Sequence, residues 1–202
     1  MMVKRLLKYI SALGIPTNEE NIEMTTAGEF PPEVFLAPSV YQKIRYESLQ
    51  SGNMETGGML LGMRHTVNGK KILVISAATG PGPQAKHSVT SFIPDMDHYK
   101  NEMKFFLYQH GFVYLGEWHK HPGQLHTPSC TDLDAMKQIT LEQDLEDILV
   151  CISTTSHVES LPELGEAVDM DFYYFAKGCD DFLKVNTRTL GDSPRLKARH
   201  EI

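Results

Sequence analysis

The chain has 202 residues, 41% of them hydrophobic and 22% charged, with a formal net charge of −7. That is the make-up of one soluble domain with extensions, large enough for a substantial core. The acidic balance argues against nucleic acid as a general partner, no run of about 18 apolar residues is present to cross a membrane, and three cysteines without a C-x-x-C pair argue for a reducing, cytoplasmic setting.

At the N-terminus, Lys4-Arg5 before Leu6-Leu7 imitates a signal peptide, but Lys8 breaks the apolar run. Val3, Leu6, Leu7, Ile10 and Leu13 instead recur at helical spacing, which predicts an amphipathic helix ending near Gly14-Ile15-Pro16. Such a helix packs on its own domain, or docks a partner subunit or a second copy of the chain. Thr17 to Pro32 is polar and acidic and reads as a linker. Residues 1–32 are therefore set apart as helix and linker, 33–187 as the domain, and 188–202 as a mobile basic tail carrying Arg188, Arg195, Lys197 and Arg199.

Val34-Phe35-Leu36 predicts a short strand. Pro38 opens a helix running to about Gln50, with Val40, Ile44 and Leu49 for its buried side. After Ser51-Gly52-Asn53, Glu55 stands at the start of a strand whose apolar body is Met59-Leu60-Leu61. Gly57, Gly58 and Gly62 allow close backbone approach there. Asn68-Gly69 is a hairpin signal, and Ile72 to Ile75 returns. Gly80-Pro81-Gly82-Pro83 is a loop, a candidate wall of a binding groove together with Gln124–Thr127. His87 to Ile93 reads as a strand, with His87 at a loop edge. Asp95 or Asp97 opens a helix to His110, closed by Gly111. Asp147 to Ile152 is a buried strand, Ser156 to Leu164 a polar loop, Val168 to Phe175 a late strand, and Phe182 to Val185 its hairpin partner across Gly178.

The stretch between is the most informative: Gly116 to Asp132 reads GEWHKHPGQLHTPSCTD. Its lead-in, Phe112 to Leu115, predicts a strand, on which alternation places Phe112, Tyr114 and Trp118 on one face and Val113, Leu115, Glu117, His119 and His121 on the other. The two histidines thus point the same way, and Trp118 packs beneath them. Ser129 and Asp132 form a capping box for a helix from Thr131 to Gln143, which also fixes where Asp132 points. Two imidazoles and one carboxylate suit zinc, and the want of a fourth protein ligand suits a catalytic rather than a structural ion. His126 is read as a loop residue. Cys130 beside His126 as a nucleophile would need a base and an orienting group and explains fewer residues. The Pro-Cys-x-x-Cys signature of zinc deaminases is absent.

Glu55 with His119-Lys120-His121, seven residues, Ser129, two residues and Asp132 resembles the JAMM motif of the catalytic JAB (MPN+) metalloprotease family, over about residues 33 to 176. The resemblance implies an α/β MPN (JAB) fold, a curved mixed sheet flanked by helices. It implies one Zn²⁺ per chain held by His119, His121 and Asp132, with water in the fourth position, Glu55 as general base, and Ser129 as donor to the oxyanion. The implied substrate is the isopeptide or peptide bond after the C-terminal tail of ubiquitin or a ubiquitin-like protein. The Gly-Glu-Trp-His lead-in is similar to bacterial and archaeal members, which are associated with ubiquitin-like conjugation, including antiphage (antiviral) defence, and with processing of sulfur-carrier proteins. A non-catalytic MPN scaffold is the alternative; such members usually lose ligands.

Overall fold

A computed structural model describes residues 31–157 and 166–190. The expected N-terminal helix, most of the loop after Ser156 and the tail beyond residue 190 lie outside the described residues.

The chain runs β1 (Glu33–Leu36), α1 (Pro38–Gln50), β2 (Thr56–Val67), β3 (Lys70–Ala78), β4 (Lys86–His87), β5 (Phe92–Ile93), α2 (Met96–His110), β6 (Val113–Lys120), α3 (Cys130–Glu142), β7 (Asp147–His157), β8 (Glu166–Ala176), β9 (Leu183–Val185) and β10 (Thr187–Thr189). Pro38 sits in the first turn of α1, where its missing N–H costs nothing. Asn68 and Gly69, both with positive φ, turn β2 into β3. The Asp95 carboxylate caps α2 through the N–H groups of Asp97 and His98, and Gly111 ends it in the left-handed region.

Eight strands form one mixed sheet in the order β10-β1-β3-β2-β6-β7-β8-β9. β1 is parallel to both β3 and β10, β6 is parallel to β7, and the other pairings are antiparallel. Only Asn186 separates β9, at one end of this order, from β10, at the other. The sheet therefore curls until its first and last strands meet a shared stretch of chain. This is the curved mixed sheet that the family resemblance implied.

Each face of the sheet has its own core. On the inner face, Val40 and Ile44 of α1 pack with Val34, Leu60, Leu73, Ile75, Leu115, Trp118, Leu149, Phe172 and Val185. α1 touches β2 and β3 on one flank and β7 and β8 on the other, so the sheet wraps it. On the outer face, Tyr99 and Met103 of α2 and Met136 and Ile139 of α3 cover Met59, Leu61, Tyr114, Ile148, Val150, Ile152, Tyr173 and Phe175. Each such side chain contributes about 1.5–3 kcal/mol by leaving water.

Four expectations are corrected. Ser48, not Leu49, completes the buried stripe of α1. It follows Val40 and Ile44 at four-residue spacing, and its hydroxyl is satisfied by Ser153 Oγ at 2.9 Å. The stretch from His87 to Ile93 is not one strand but a small hairpin of two short ones, closed by Ser88 and Ser91. β7 runs on to His157, through the start of the expected polar loop, because β8 pairs with it throughout. Arg188 and Thr189, assigned to the tail, belong to β10 and pair with Phe35 and Leu36.

The fifth difference shapes the site. Leu60 pairs with Gly116 but Leu61 pairs with Tyr114, so Leu115 is an extra residue in β6. This β-bulge reverses the alternation upstream of it. Tyr114 lies on the outer face, and Leu115 joins Trp118 on the inner one, the opposite of the expected grouping. Gly116 makes the bulge possible: its φ is +154°, and a Cβ there would fall on the Leu149 carbonyl oxygen.

At the far end of the sheet the wholly buried Asp147 carboxylate receives Arg64, Lys71 and, at 3.0 Å, the Tyr174 hydroxyl. Burial pushes its pKa up, but the Arg64 and Lys71 charges more than offset this and hold it below the usual carboxylate range. Among the described residues no helix is long and apolar enough to cross a membrane.

Candidate metal centre and active site

The site forms where β6 ends, between the start of β2 and the N-terminus of α3. β2 and β6 are antiparallel, with Thr56 opposite Lys120 and Gly57 opposite His119, which sets Glu55 beside the two histidines. Gly57 and Gly58 are needed for this approach. A Cβ on Gly57 would lie 2.6 Å from the Trp118 carbonyl oxygen and 3.0 Å from the Phe92 ring, and one on Gly58 would strike the Thr79 carbonyl and the Trp118 indole. Trp118 is fully buried on the inner face, and its indole N–H donates to the Thr79 carbonyl at 2.9 Å. It holds the histidine-bearing strand from behind, as the sequence suggested.

The loop from His121 to Ser129 is tied down at several points. His121 N–H donates to the Ser153 carbonyl at 3.0 Å. His121 Nδ1 lies 3.0 Å from the Leu125 carbonyl oxygen. A carbonyl only accepts, so Nδ1 carries a proton and Nε2 is the nitrogen turned toward the site. His126 Nδ1 is 3.2 Å from Thr154 Oγ1 and 3.4 Å from Asp171, and Tyr173 donates to its backbone carbonyl at 2.9 Å. His126 thus anchors the loop to the sheet.

α3 begins in a full capping box. Ser129 Oγ accepts from Asp132 N–H at 3.2 Å, and Ser129 N–H donates to Asp132 Oδ2 at 2.7 Å. The Ser129 hydroxyl also donates to Oδ2, at 2.7 Å. Cys130 is exposed, at the first helical position.

The Asp132 carboxylate faces both imidazoles. Oδ1 is 3.5 Å from His119 Nδ1, and Oδ2 is 3.5 Å from His121 Nε2. The other nitrogen of His119, Nε2, is 3.1 Å from Glu117 Oε2. Burial alone would lower the His119 pKa, but the Asp132 and Glu117 carboxylates more than offset it and push it up to about 10. Asp132 is raised by burial and lowered further by His119, His121 and Ser129, which hold it far below the usual range. Glu55, half-buried, has its pKa raised, chiefly by burial; the His121 and His119 charges draw it back and Asp132 adds to the rise.

The structure thus brings Glu55, His119, His121, Ser129 and Asp132 together. Two residues of this neighbourhood were not marked in the sequence as functional. Glu117 could have been, since it lies two positions before His119 on the same face of the strand. His87, read as a loop-edge residue, carries its ring under the Glu55 backbone, a placement for which the sequence holds no signal.

Among the described residues no group of three or more His, Cys, Asp or Glu side chains surrounds a point that could hold a metal ion as it stands. The donor set nevertheless has the chemistry of a zinc site. Each imidazole has one nitrogen against an outer acceptor, Glu117 or Leu125 O, and the other toward Asp132, the pattern of metal-ligating histidines. Tetrahedral ligands about 2.0–2.1 Å from zinc stand about 3.4 Å from one another, close to both imidazole–carboxylate separations. Three carboxylates, Glu55, Glu117 and Asp132, around two imidazoles also call for positive charge, either a proton on His119 or a cation.

The profile of a family described as prokaryotic homologs of the JAB domain matches residues 37–164. Over 122 residues the chain is 26% identical to a CD-NTase/cGAS isopeptidase of Enterobacter hormaechei subsp. hoffmannii (strain UCI 50), covering 59% of this chain and 66%, just under two thirds, of that protein. Over 114 residues it is 29% identical to a protein of the same name from Escherichia coli (strain TW11681), covering 55% of this chain and 70% of that one. The solution structure of a protein from Desulfitobacterium hafniense matches at a TM-score of 0.50 and 14% identity, over 77% of this chain and 92% of that one, a likeness of fold alone.

Proposed function

The chain belongs to the prokaryotic JAB-domain family, and from that premise we propose that it is a zinc-dependent isopeptidase cleaving the amide bond after the C-terminal tail of a ubiquitin-like protein. The observation that carries the reading is the placing of Asp132 across His119 Nδ1 and His121 Nε2, each imidazole being held on its outer side by an acceptor. The name of two relatives, CD-NTase/cGAS isopeptidase, supports the bond type; the ubiquitin-like modifier and a cytoplasmic, antiviral-defence setting are part of the proposal.

In this reading His119, His121 and Asp132 hold the ion. Zinc, when bound, supplies Lewis acidity that polarises the scissile carbonyl and acidifies water. Glu55 takes the proton of the attacking water and passes it to the leaving amine. Burial raises its pKa, which favours the return of the proton in the second step. The Ser129 hydroxyl, which rests on Asp132, turns to donate to the oxyanion of the tetrahedral intermediate. The capping box keeps the Ser129 backbone in place while it turns. Trp118, wholly buried, excludes water from behind the strand.

The test is cleavage of ubiquitin-like C-terminal fusions from the same organism, with and without a zinc chelator and with Glu55→Gln alongside. Cleavage after the modifier's tail that both controls abolish supports the reading. Cleavage that survives both controls sinks it. A chain that binds zinc and cuts no fusion would favour a scaffold or a partner-dependent enzyme.

A further inference from the structure

We propose that Glu117 is a positioning residue of the metal centre: its carboxylate accepts a hydrogen bond from the Nε2–H of His119 and so keeps the proton on Nε2, leaving Nδ1 of that ring as the nitrogen offered to zinc. This rests on the zinc reading above and goes beyond it, because it fixes a tautomer and assigns a residue outside the five-residue motif.

The argument begins with the ring. A neutral imidazole carries one proton, and the nitrogen that bears it cannot bind a metal. His119 Nε2 is 3.1 Å from Glu117 Oε2 and Nδ1 is 3.5 Å from Asp132 Oδ1. Both partners are carboxylates, but at 3.1 Å Glu117 is at hydrogen-bond distance, whereas Asp132 stands 3.5 Å away, a separation that suits two ligands of one ion. The proton therefore goes to Nε2. At His121 the choice is reversed: the Leu125 carbonyl accepts the Nδ1–H and Nε2 faces Asp132. The two histidines of one motif thus present different nitrogens, one oriented by a side chain and the other by a backbone carbonyl.

Glu117 is itself largely buried. Its side chain is 16% exposed, and the buried phenols of Tyr99 and Tyr114 stand beside it. Among the described residues the Tyr114 hydroxyl is the one buried side-chain oxygen without a partner at hydrogen-bond distance. That hydroxyl faces the Glu117 carboxylate, the acceptor beside it. The bulge at Leu115 creates this environment, since it is what turns Tyr114 to the Glu117 side of β6. A carboxylate, a histidine and a metal in series form the recurrent arrangement that raises ligand basicity and fixes ring orientation.

The experiment has two parts. Zinc affinity is measured by chelator competition for the unchanged chain, Glu117→Gln, Glu117→Leu and His119→Ala, each checked for fold by circular dichroism. Long-range ¹H–¹⁵N correlation of the imidazoles is recorded on the unchanged, zinc-loaded chain. The expected result is that Glu117→Gln, whose Oε1 still accepts, stays within about threefold of the unchanged chain, while Glu117→Leu loses about 10–100-fold in zinc affinity at unaltered one-to-one stoichiometry. His119 should show a protonated Nε2 and a metal-bound Nδ1. Unchanged affinity in Glu117→Leu, or a protonated Nδ1 on His119, overturns the inference and leaves the zinc reading intact. If Glu117→Leu does not fold, the ring tautomer of the unchanged chain decides alone. Failure of the unchanged chain to bind zinc overturns both.

Discussion

His87 donates its Nδ1–H to the backbone carbonyl of Glu55 at 2.8 Å. The next residue of the same small hairpin, Ser88, accepts the Glu55 N–H at 2.8 Å. Both backbone groups of the proposed base are therefore held by one short segment, and His87 is held in turn against Phe92, ring centres 5.4 Å apart. The carboxylate is left as the only part of Glu55 free to move. His87→Ala should lower kcat about fivefold, the worth of one net hydrogen bond of about 1 kcal/mol, with zinc affinity unchanged. Steady-state kinetics beside chelator competition would check this.

Glu55→Gln should keep zinc and lose turnover by about 10²–10⁴-fold. The pH dependence follows from the direction of the Glu55 shift. A base works when ionised, and this carboxyl has its pKa raised, chiefly by burial. In the metal-free chain the Glu55 carboxyl should therefore titrate above the ordinary glutamate value of about 4.3. A value at or below that, read by ¹³C NMR titration of the metal-free chain, would contradict the placement of Glu55 in a partly buried site.

Ser129→Ala removes a helix cap and a donor to Asp132 together. The cap is worth about 1 kcal/mol, a loss of about 2–4 °C in Tm for a chain of this size. The freed carboxylate should also cost about tenfold in zinc affinity. Ser129→Thr keeps the hydroxyl and should recover both, which calorimetry and metal titration would show.

Gly116→Ala places a methyl group on the Leu149 carbonyl at a backbone angle unsuited to it. Relieving the clash means undoing the bulge or parting β6 from β7, at a cost on the order of 4 kcal/mol or more. Gly52→Ala is the control: its φ is also positive but a Cβ there meets nothing, so it should cost only about 1–2 kcal/mol. Urea midpoints of the two would separate packing from backbone strain.

Much of this was readable beforehand, and the exceptions share a cause. Pro38, Asn68-Gly69, Asp95, Gly111 and the Ser129/Asp132 box each act through the chain within a few residues of themselves, and each element they bound stands where they placed it. The bulge at Leu115 is set by how β6 must lie on both β2 and β7, which no local pattern of Phe, Val, Tyr and Leu reveals. The hydrogen bond from His87 to Glu55 and the pairing of Arg188 with Phe35 likewise join residues far apart in the chain. Glu117 was placed on the right face beside His119, but a single acid on a strand does not announce its partner.

Asp147→Asn should cost about 3 kcal/mol, the low end for a broken buried ion pair because Arg64 and Lys71 keep about a third of their side-chain surface in water. That is a fall of about 6–12 °C in Tm. The Asp147 pKa is depressed in the folded chain, so its stabilisation is present above the unfolded value of about 3.9 and is lost as pH falls through the folded one. The unchanged chain should lose stability on acidification below about pH 4. The mutant, already without the charge, should show a flatter dependence in melts across that range.

The joining of β9 to β10 through Asn186 bears on the order in which the molecule assembles. Val34 opposite Thr187 and Phe172 opposite Val185 clasp the two ends of the described chain to the same short stretch. Contacts of such long sequence separation give nothing back until the entropy of closing a very large loop has been met, so they form late. The β2–β3 hairpin closes through two residues and needs no such wait. β2, β6 and α3, which carry all five motif residues or stand directly beside them, make no ladder with the clasp. Folding and chemistry are thus divided between two regions of one sheet. A parting of β9 and β10 from their neighbours would by itself break no ladder between β2 and β6.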